Sequence, residues 1–262
     1  ANGHLDVIRY LVEMGLTVED VRNSNALGSA AGGGHLDIIR YFVDEMGLTV
    51  EDVRTSRALK AATPRGHLDV IRYLIEMGMT SEEVRASDAL YFAAIYGYLD
   101  VIRYLVGIGW TLNDMKASGA LRHAAVAGRL DIIRYLVGIG LTLEDIRASD
   151  VLRPAAEGGH LDIIRYLVEI GMTVEDVRAS KALQFAVTNG HIDVIRYFVE
   201  IGMTLEDVLR YAVSDGRPDY FRHIVDKMKF TLDDVRASNV LRFAAEDGRL
   251  DVIRYFVDKM KL

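Results

Sequence analysis

The chain has 262 residues, 50% of them hydrophobic, with a formal net charge of −7 and no cysteine. That length can bury a large core, the lack of thiols excludes disulfides and thiolate chemistry, and the acidic balance counts against general nucleic-acid or anionic-membrane binding. No apolar run of about 18 residues predicts membrane insertion, and the start "ANGHLD" shows no signal-peptide pattern, so the expected location is intracellular and cytoplasmic.

In chain order, the first predicted element is a helix B over His4 to Met14, opened by "GHLDVIRYLV" and closed by Gly15. Asp6, Arg9 and Glu13 fall on one stripe of it, and Leu5, Val7, Ile8, Leu11, Val12 and Met14 cover most of the remainder. Asp6 and Arg9 are spaced to pair within the helix and to extend as a ladder across neighbours. The connector "LTVEDVR" follows. Thr17 and Asp20 have capping-box spacing, which predicts a short helical turn. Helix A comes next, "SNALGSAAGG" from Ser24 to Gly33. Ser24 is its N-cap candidate, Ala30 and Ala31 permit close helix approach, and Gly34 supplies a left-handed stop.

The pattern then repeats. The opening glycine returns at 34, 66, 97, 128, 159, 190, 216 and 248, making nine helix B copies at a period of about 31 residues. Such a period predicts an all-α solenoid whose units bury their apolar faces only against neighbours. One continuous solenoid over 1–262 is expected, cut mid-repeat at both ends, with the ends covered by further repeats or neighbouring chains. The capping-box spacing recurs at Thr49, Thr80, Thr111, Thr142, Thr173, Thr204 and Thr231. The seventh connector lacks the five residues that read "RASKA" at 178–182, which predicts a merged connector and helix A starting from Thr204. Pro218 suits a first helical position, whereas Pro154 should disturb the first turns of its helix A.

Helix A followed by helix B, as in "ALQFAVTNGHIDVIRYFVEIG" (Ala182 to Gly202), resembles the ankyrin repeat. The resemblance covers essentially the whole chain. It implies stacked helix pairs and a non-enzymatic role in binding proteins, with the helix A ends helping to line the concave partner surface. The family's Thr-Pro-Leu-His opening is replaced by Ser-x-Ala-Leu. Its β-hairpin fingers are replaced by the "LTVEDVRAS" segment, as short helical turns. This shortened form is similar to divergent arrays of giant DNA viruses and protists.

The repeats also test for chemistry. The phase of His4 holds His35, His67, Tyr98, Arg129, His160, His191, Arg217 and Arg249. A metal ligand or general base is not exchangeable for Tyr and Arg. No catalytic residue, metal site, cofactor or small-molecule substrate is expected.

Function should lie where the copies differ. The two residues before each glycine vary most, among them Arg65 and Val126. "LYFAAIYGYLD" (Leu90 to Asp100) groups Tyr91, Ile95, Tyr96 and Tyr98, the residue types of interface hot spots. Phe92 and Trp110 share phases with core residues. The row after the helix A leucine includes Lys60, Arg122 and Arg153, together with Arg210 and Arg242. That row fits either an acidic protein partner or pairing with connector carboxylates. A role inside a large assembly is an alternative. So is a helical-repeat nucleic-acid binder, because "LTVEDV" resembles the "LTPEQV" opening of transcription-activator-like effector repeats. Charge and the paired Asp/Arg rows count against that second alternative.

Overall fold

The computed structural model describes residues 3–260. The chain forms two compact units, one up to Ala124 and one from Ala125 onward. Within each, the same three-part module recurs, and no strand occurs among the described residues. Connector helices of six residues, such as Ser81–Ala86 and Val174–Ala179, stand where hairpin fingers would otherwise project. Nine helix B segments are present among the described residues, most of nine residues, from Leu5–Glu13 to Leu250–Met260.

The connectors form because their first turn is capped on both sides. At Thr173 the backbone N–H donates to Asp176 Oδ2 at 2.8 Å and the hydroxyl donates to the same oxygen at 3.2 Å. The Asp176 N–H returns to Thr173 Oγ1 at 3.4 Å. All eight predicted threonines make this reciprocal box.

Ser24 plays a different part from the one expected. Its hydroxyl donates to the Val21 carbonyl at 2.9 Å, closing the connector, and helix A begins at Ala26. Its oxygen accepts only a long bond from the Ala26 N–H, 3.3 Å. Ser56, Ser87, Ser118, Ser180 and Ser238 close their connectors in the same way. The reversal into helix A is made by the next residue, held left-handed at Arg57, Asp88, Gly119, Asp150 and Lys181.

The irregular repeats follow their sequences. The merged helix runs Leu205–Ser214 from the Thr204 cap, and Pro218 opens Pro218–Met228. Pro154 disturbs its first turn as expected. At the same position Phe92, His123 and Phe185 donate to the carbonyl of the left-handed residue, and without that bond the helix starts one residue later, at Leu152. The second helix B carries one extra residue, absorbed as a π-turn over Tyr41–Glu45. The eighth also carries one, and it ends on a left-handed Lys229 where the seven preceding copies have glycine.

Helix A segments approach one another through alanines. Ala31, Ala62, Ala93, Ala94, Ala155 and Ala186 are fully buried. Helix B supplies the larger side chains, such as Ile71, Leu74, Ile102 and Leu105 in the first unit and Ile164, Leu167, Ile195 and Phe198 in the second. Each contributes roughly 1.5–3 kcal/mol of burial.

The glycine between the helices is required twice over. Gly34 has φ +75°, and a Cβ there would lie 2.6 Å from His67 Nδ1. At Gly66, with φ +66°, it would lie 2.5 Å from the Tyr98 ring. The residue after the glycine thus sits on the preceding repeat's turn, and in several copies it donates to that repeat's backbone. His191 Nε2 lies 2.7 Å from the Glu157 carbonyl oxygen, the Tyr98 hydroxyl donates to Pro64 O at 3.3 Å, and Arg249 Nη1 donates to Val213 O at 2.7 Å.

Two further rows cross from repeat to repeat, and the ladder expected of the helix B Asp and Arg residues is built with other partners. Connector arginines pair with the next connector's capping carboxylate: Arg22 with Asp52 at 2.9 Å, Arg85 with Asp114 at 2.8 Å, and Arg147 with Asp176 at 2.8 Å. Helix B arginines lie over the next helix B tyrosine, Arg72 on Tyr104 at 5.2 Å and Arg165 on Tyr197 at 5.1 Å. Asp100–Arg103 and Asp193–Arg196 do pair within a helix, at 3.4 and 3.9 Å. Where His223 replaces the tyrosine, Arg196 donates instead to the Lys227 carbonyl at 2.7 Å.

Three outcomes follow for stability. Thr173→Ala removes a cap and should cost about 1 kcal/mol, read as a lower Tm in a thermal melt followed by circular dichroism. Lys229→Gly relieves a left-handed side chain and should raise stability by up to about 1 kcal/mol in the same melt. The third outcome concerns acid. The Arg147 guanidinium holds the Asp176 carboxyl below its usual range, against burial and with help from both Thr173 donors. At Asp114 the Thr111 N–H and hydroxyl act first and Arg85 next. Depressed folded values mean stability that is complete above about pH 4 and is lost as pH falls through them. Melts from about pH 5 to pH 3 should show a falling Tm, with a shallower fall in Asp176→Asn.

Candidate functional site

In the first unit, helix A Ala89–Tyr96 follows the left-handed Asp88 and ends at the left-handed Gly97. Its buried side is Leu90, Ala93 and Ala94. Its other side carries rings. Tyr91 is edge-on to Phe92 at 5.1 Å and to His123 at 4.6 Å, Phe92 stacks on Tyr96 at 6.1 Å, and Tyr96 meets Tyr98 at 6.0 Å. The i, i+4 spacing of Phe92 and Tyr96 puts them on one face. Five rings therefore run in a strip, with Tyr91 36% and Tyr96 49% exposed. Phe92, expected in the core, is only half-buried and belongs to this strip.

The proposed site residues differ in what engages them. Ile95 is half-buried beside Tyr96 in sequence. Tyr98 bonds to Pro64 and rests on Gly66, so it holds the strip to the preceding repeat. Arg65 is exposed, with its guanidinium on the Gly32 carbonyl. Lys60 is exposed at a small cavity it shares with Arg54, Arg57 and Glu83. Arg122 is half-buried next to His123. Burial, and then Arg122, push the His123 imidazole below its usual value, so it is neutral at pH 7. In the second unit Val126 is 46% exposed. Arg153 there is bound to Asp150 at 2.6 Å and lies over the Phe185 ring at 5.6 Å.

Within the basic row, Arg153 pairs with the carboxylate that ends its connector, Asp150. Against burial, the Thr204 donors, Arg178 and then Arg210 hold the capping Asp207 carboxyl below its usual range. Most capping carboxylates have other partners, the capping threonines and the preceding connector's arginine. Arg242 binds Glu246 in its own helix at 2.7 Å, and Arg210 lies over Tyr211 at 5.0 Å.

Trp110 is buried, 7% exposed, as its phase implied, yet it lines a cavity of about 430 Å³ with Arg85, Asp88, Leu90, Tyr91 and Asp114. The left-handed junction position, which supplies Asp88, was not singled out from the sequence. Its signal is present there: after a recurrent serine the copies read Arg57, Asp88, Gly119, Asp150 and Lys181.

Among the described residues no cluster of three or more His, Asp or Glu side chains is placed to hold a metal. No described helix is long and apolar enough to cross a membrane.

A family model described as ankyrin repeats, three copies, matches residues 1–84 and again 59–150. No curated protein matches the chain. Ankyrin repeats are generally protein–protein interaction modules, and the family is typically non-enzymatic. The helix pairs, the left-handed glycine between them and the family match agree: this chain belongs to the ankyrin-repeat family.

Proposed function

We propose that the chain is a non-enzymatic scaffold that binds a protein partner through its helix A ends and connector junctions. The observation that carries this reading is the exposed ring strip from Tyr91 to Tyr98. Such rings supply large contact area with few torsions to order, and here they are pre-set by packing on one another. Tyr96 is its most exposed ring and Ile95 precedes it on the same helix A; Val126 is the residue at the position of Ile95 one repeat on.

An acidic partner gains little support. Arg153 and Arg242 already have carboxylate partners, and Arg65 is on a backbone carbonyl. The same engagement argues against nucleic acid, which needs unneutralised cations along a groove.

Replacing Ile95 and Tyr96 together by alanine tests the reading. Partner recovery in affinity capture quantified by mass spectrometry should fall at least about tenfold, as expected for hot-spot truncation. The Tm should drop by only a few degrees, roughly, because both side chains are at least partly exposed. Unchanged recovery would remove the strip as the docking surface.

A further inference from the structure

The cavity beside the ring strip holds one carboxylate that the protein leaves open. Arg85 is engaged: it lies over the Trp110 ring at 5.2 Å and donates from Nε and Nη2 to Asp114 Oδ1 at 3.0 and 2.8 Å. Asp114 is engaged by Arg85 and by both donors of Thr111. Arg85 and Asp114 cancel one another. Asp88 is exposed, and among the described residues no cation lies within 4.0 Å of its carboxylate.

The same position in other repeats shows what normally fills it. At 150 the residue is again aspartate, and three residues on Arg153 supplies a guanidinium, 2.6 Å from Asp150 Oδ2 and 5.6 Å above the Phe185 ring. At 57 and 60 the chain places its own cations, Arg57 and Lys60. The cavities there are small, about 210 and 200 Å³. Around Asp88 the arginine position is Tyr91 and the ring position is His123, and the cavity is about 430 Å³. The carboxylate and a ring remain, the internal guanidinium is gone, and the space is twice as large.

We propose that this cavity receives an arginine side chain from a basic segment of the partner, its guanidinium paired with Asp88 and laid against Tyr91. The inference rests on the scaffold reading and gives it a partner chemistry. A planar guanidinium both stacks on a ring and donates in a fork to a carboxylate, which an ammonium does not. The neutral His123 ring behind Tyr91 adds no opposing charge at pH 7. The net charge of −7 favours a basic partner over an acidic one.

Trp110 is the only tryptophan, so it reports on the cavity directly. The probes are acetyl-Ala-Ala-Arg-Ala-Ala-amide and the same peptide with citrulline, which keeps the shape and removes the charge. Titrated into the ¹⁵N-labelled chain, the arginine peptide should shift the Trp110 indole and Asp88 amide resonances saturably. The citrulline peptide should bind at least about tenfold more weakly. Asp88→Asn should weaken the arginine peptide by about the same factor with an unchanged Tm. Tyr91→Arg, which rebuilds the internal pair seen at Asp150–Arg153, should abolish the shifts in a folded chain. Equal binding of the two peptides, indifference to Asp88→Asn, or no saturable shift would overturn the proposal. A peptide that shifts Tyr96 and leaves Trp110 and Asp88 unmoved would overturn the cavity and leave the scaffold reading standing.

Discussion

A helix pair of this size has no interior of its own, and everything else in the structure follows from that. Helix A is about eight residues long and its packing side is largely alanine. Alanine buries little area per side chain, but it lets the next helix A come close enough for the larger helix B residues to interlock behind it. Ile71 and Leu74 are fully buried only because the neighbouring repeat is present. Stability within each unit is therefore a matter of holding successive repeats at one height and rotation.

Three rows of contacts set that height, and each crosses from one repeat to the next. The connector arginine reaches the next capping carboxylate, the helix B arginine lies on the next tyrosine, and the residue after the glycine donates back to the preceding turn. Exposed ion pairs are individually weak, so no single row dominates. The third row explains why His, Tyr and Arg interchange there. Each can present one donor at the reach needed to meet a carbonyl, and none needs a particular pKa to do so. The glycine beneath is constrained more tightly than the residue above it, because a Cβ at Gly34 or Gly66 would meet that side chain.

Much of this was legible because it is local. Threonine and a carboxylate three residues on form a cap whatever surrounds them, so all eight boxes, and the merged helix from Thr204, could be placed from spacing alone. What spacing could not give were partners a full repeat away. Arg147 and Asp145 in one connector look like the natural neighbours, yet the Arg147 guanidinium goes to Asp176. Ser24 precedes a helix and also follows one, and only the backbone decides that it closes the connector. The extra residue near Asp44 and Glu45 was visible as a count, but its absorption as a π-turn was not. The ring strip was legible as a cluster. Asp88 was not, because its mark is a place after a recurrent serine and not a residue type: the copies there read Arg57, Asp88, Gly119, Asp150 and Lys181.

That left-handed junction separates what the fold demands from what it leaves free. The backbone there must reverse between connector and helix A, and it does so with arginine, aspartate, glycine or lysine alike. A position held by backbone hydrogen bonds, such as Asp88 N–H to Arg85 O at 3.1 Å, does not constrain the identity of its side chain. The packing around it does, and the copies solve it differently: with their own cations at Arg57 and Lys60, with an internal pair at Asp150 and Arg153, and with an open carboxylate beside a tyrosine at Asp88 and Tyr91. The first two arrangements neutralise or fill the cavity from within. The third leaves a charge and a ring face on a rigid base, next to the most aromatic stretch of the chain, where a partner's side chain meets both at little ordering cost to the scaffold.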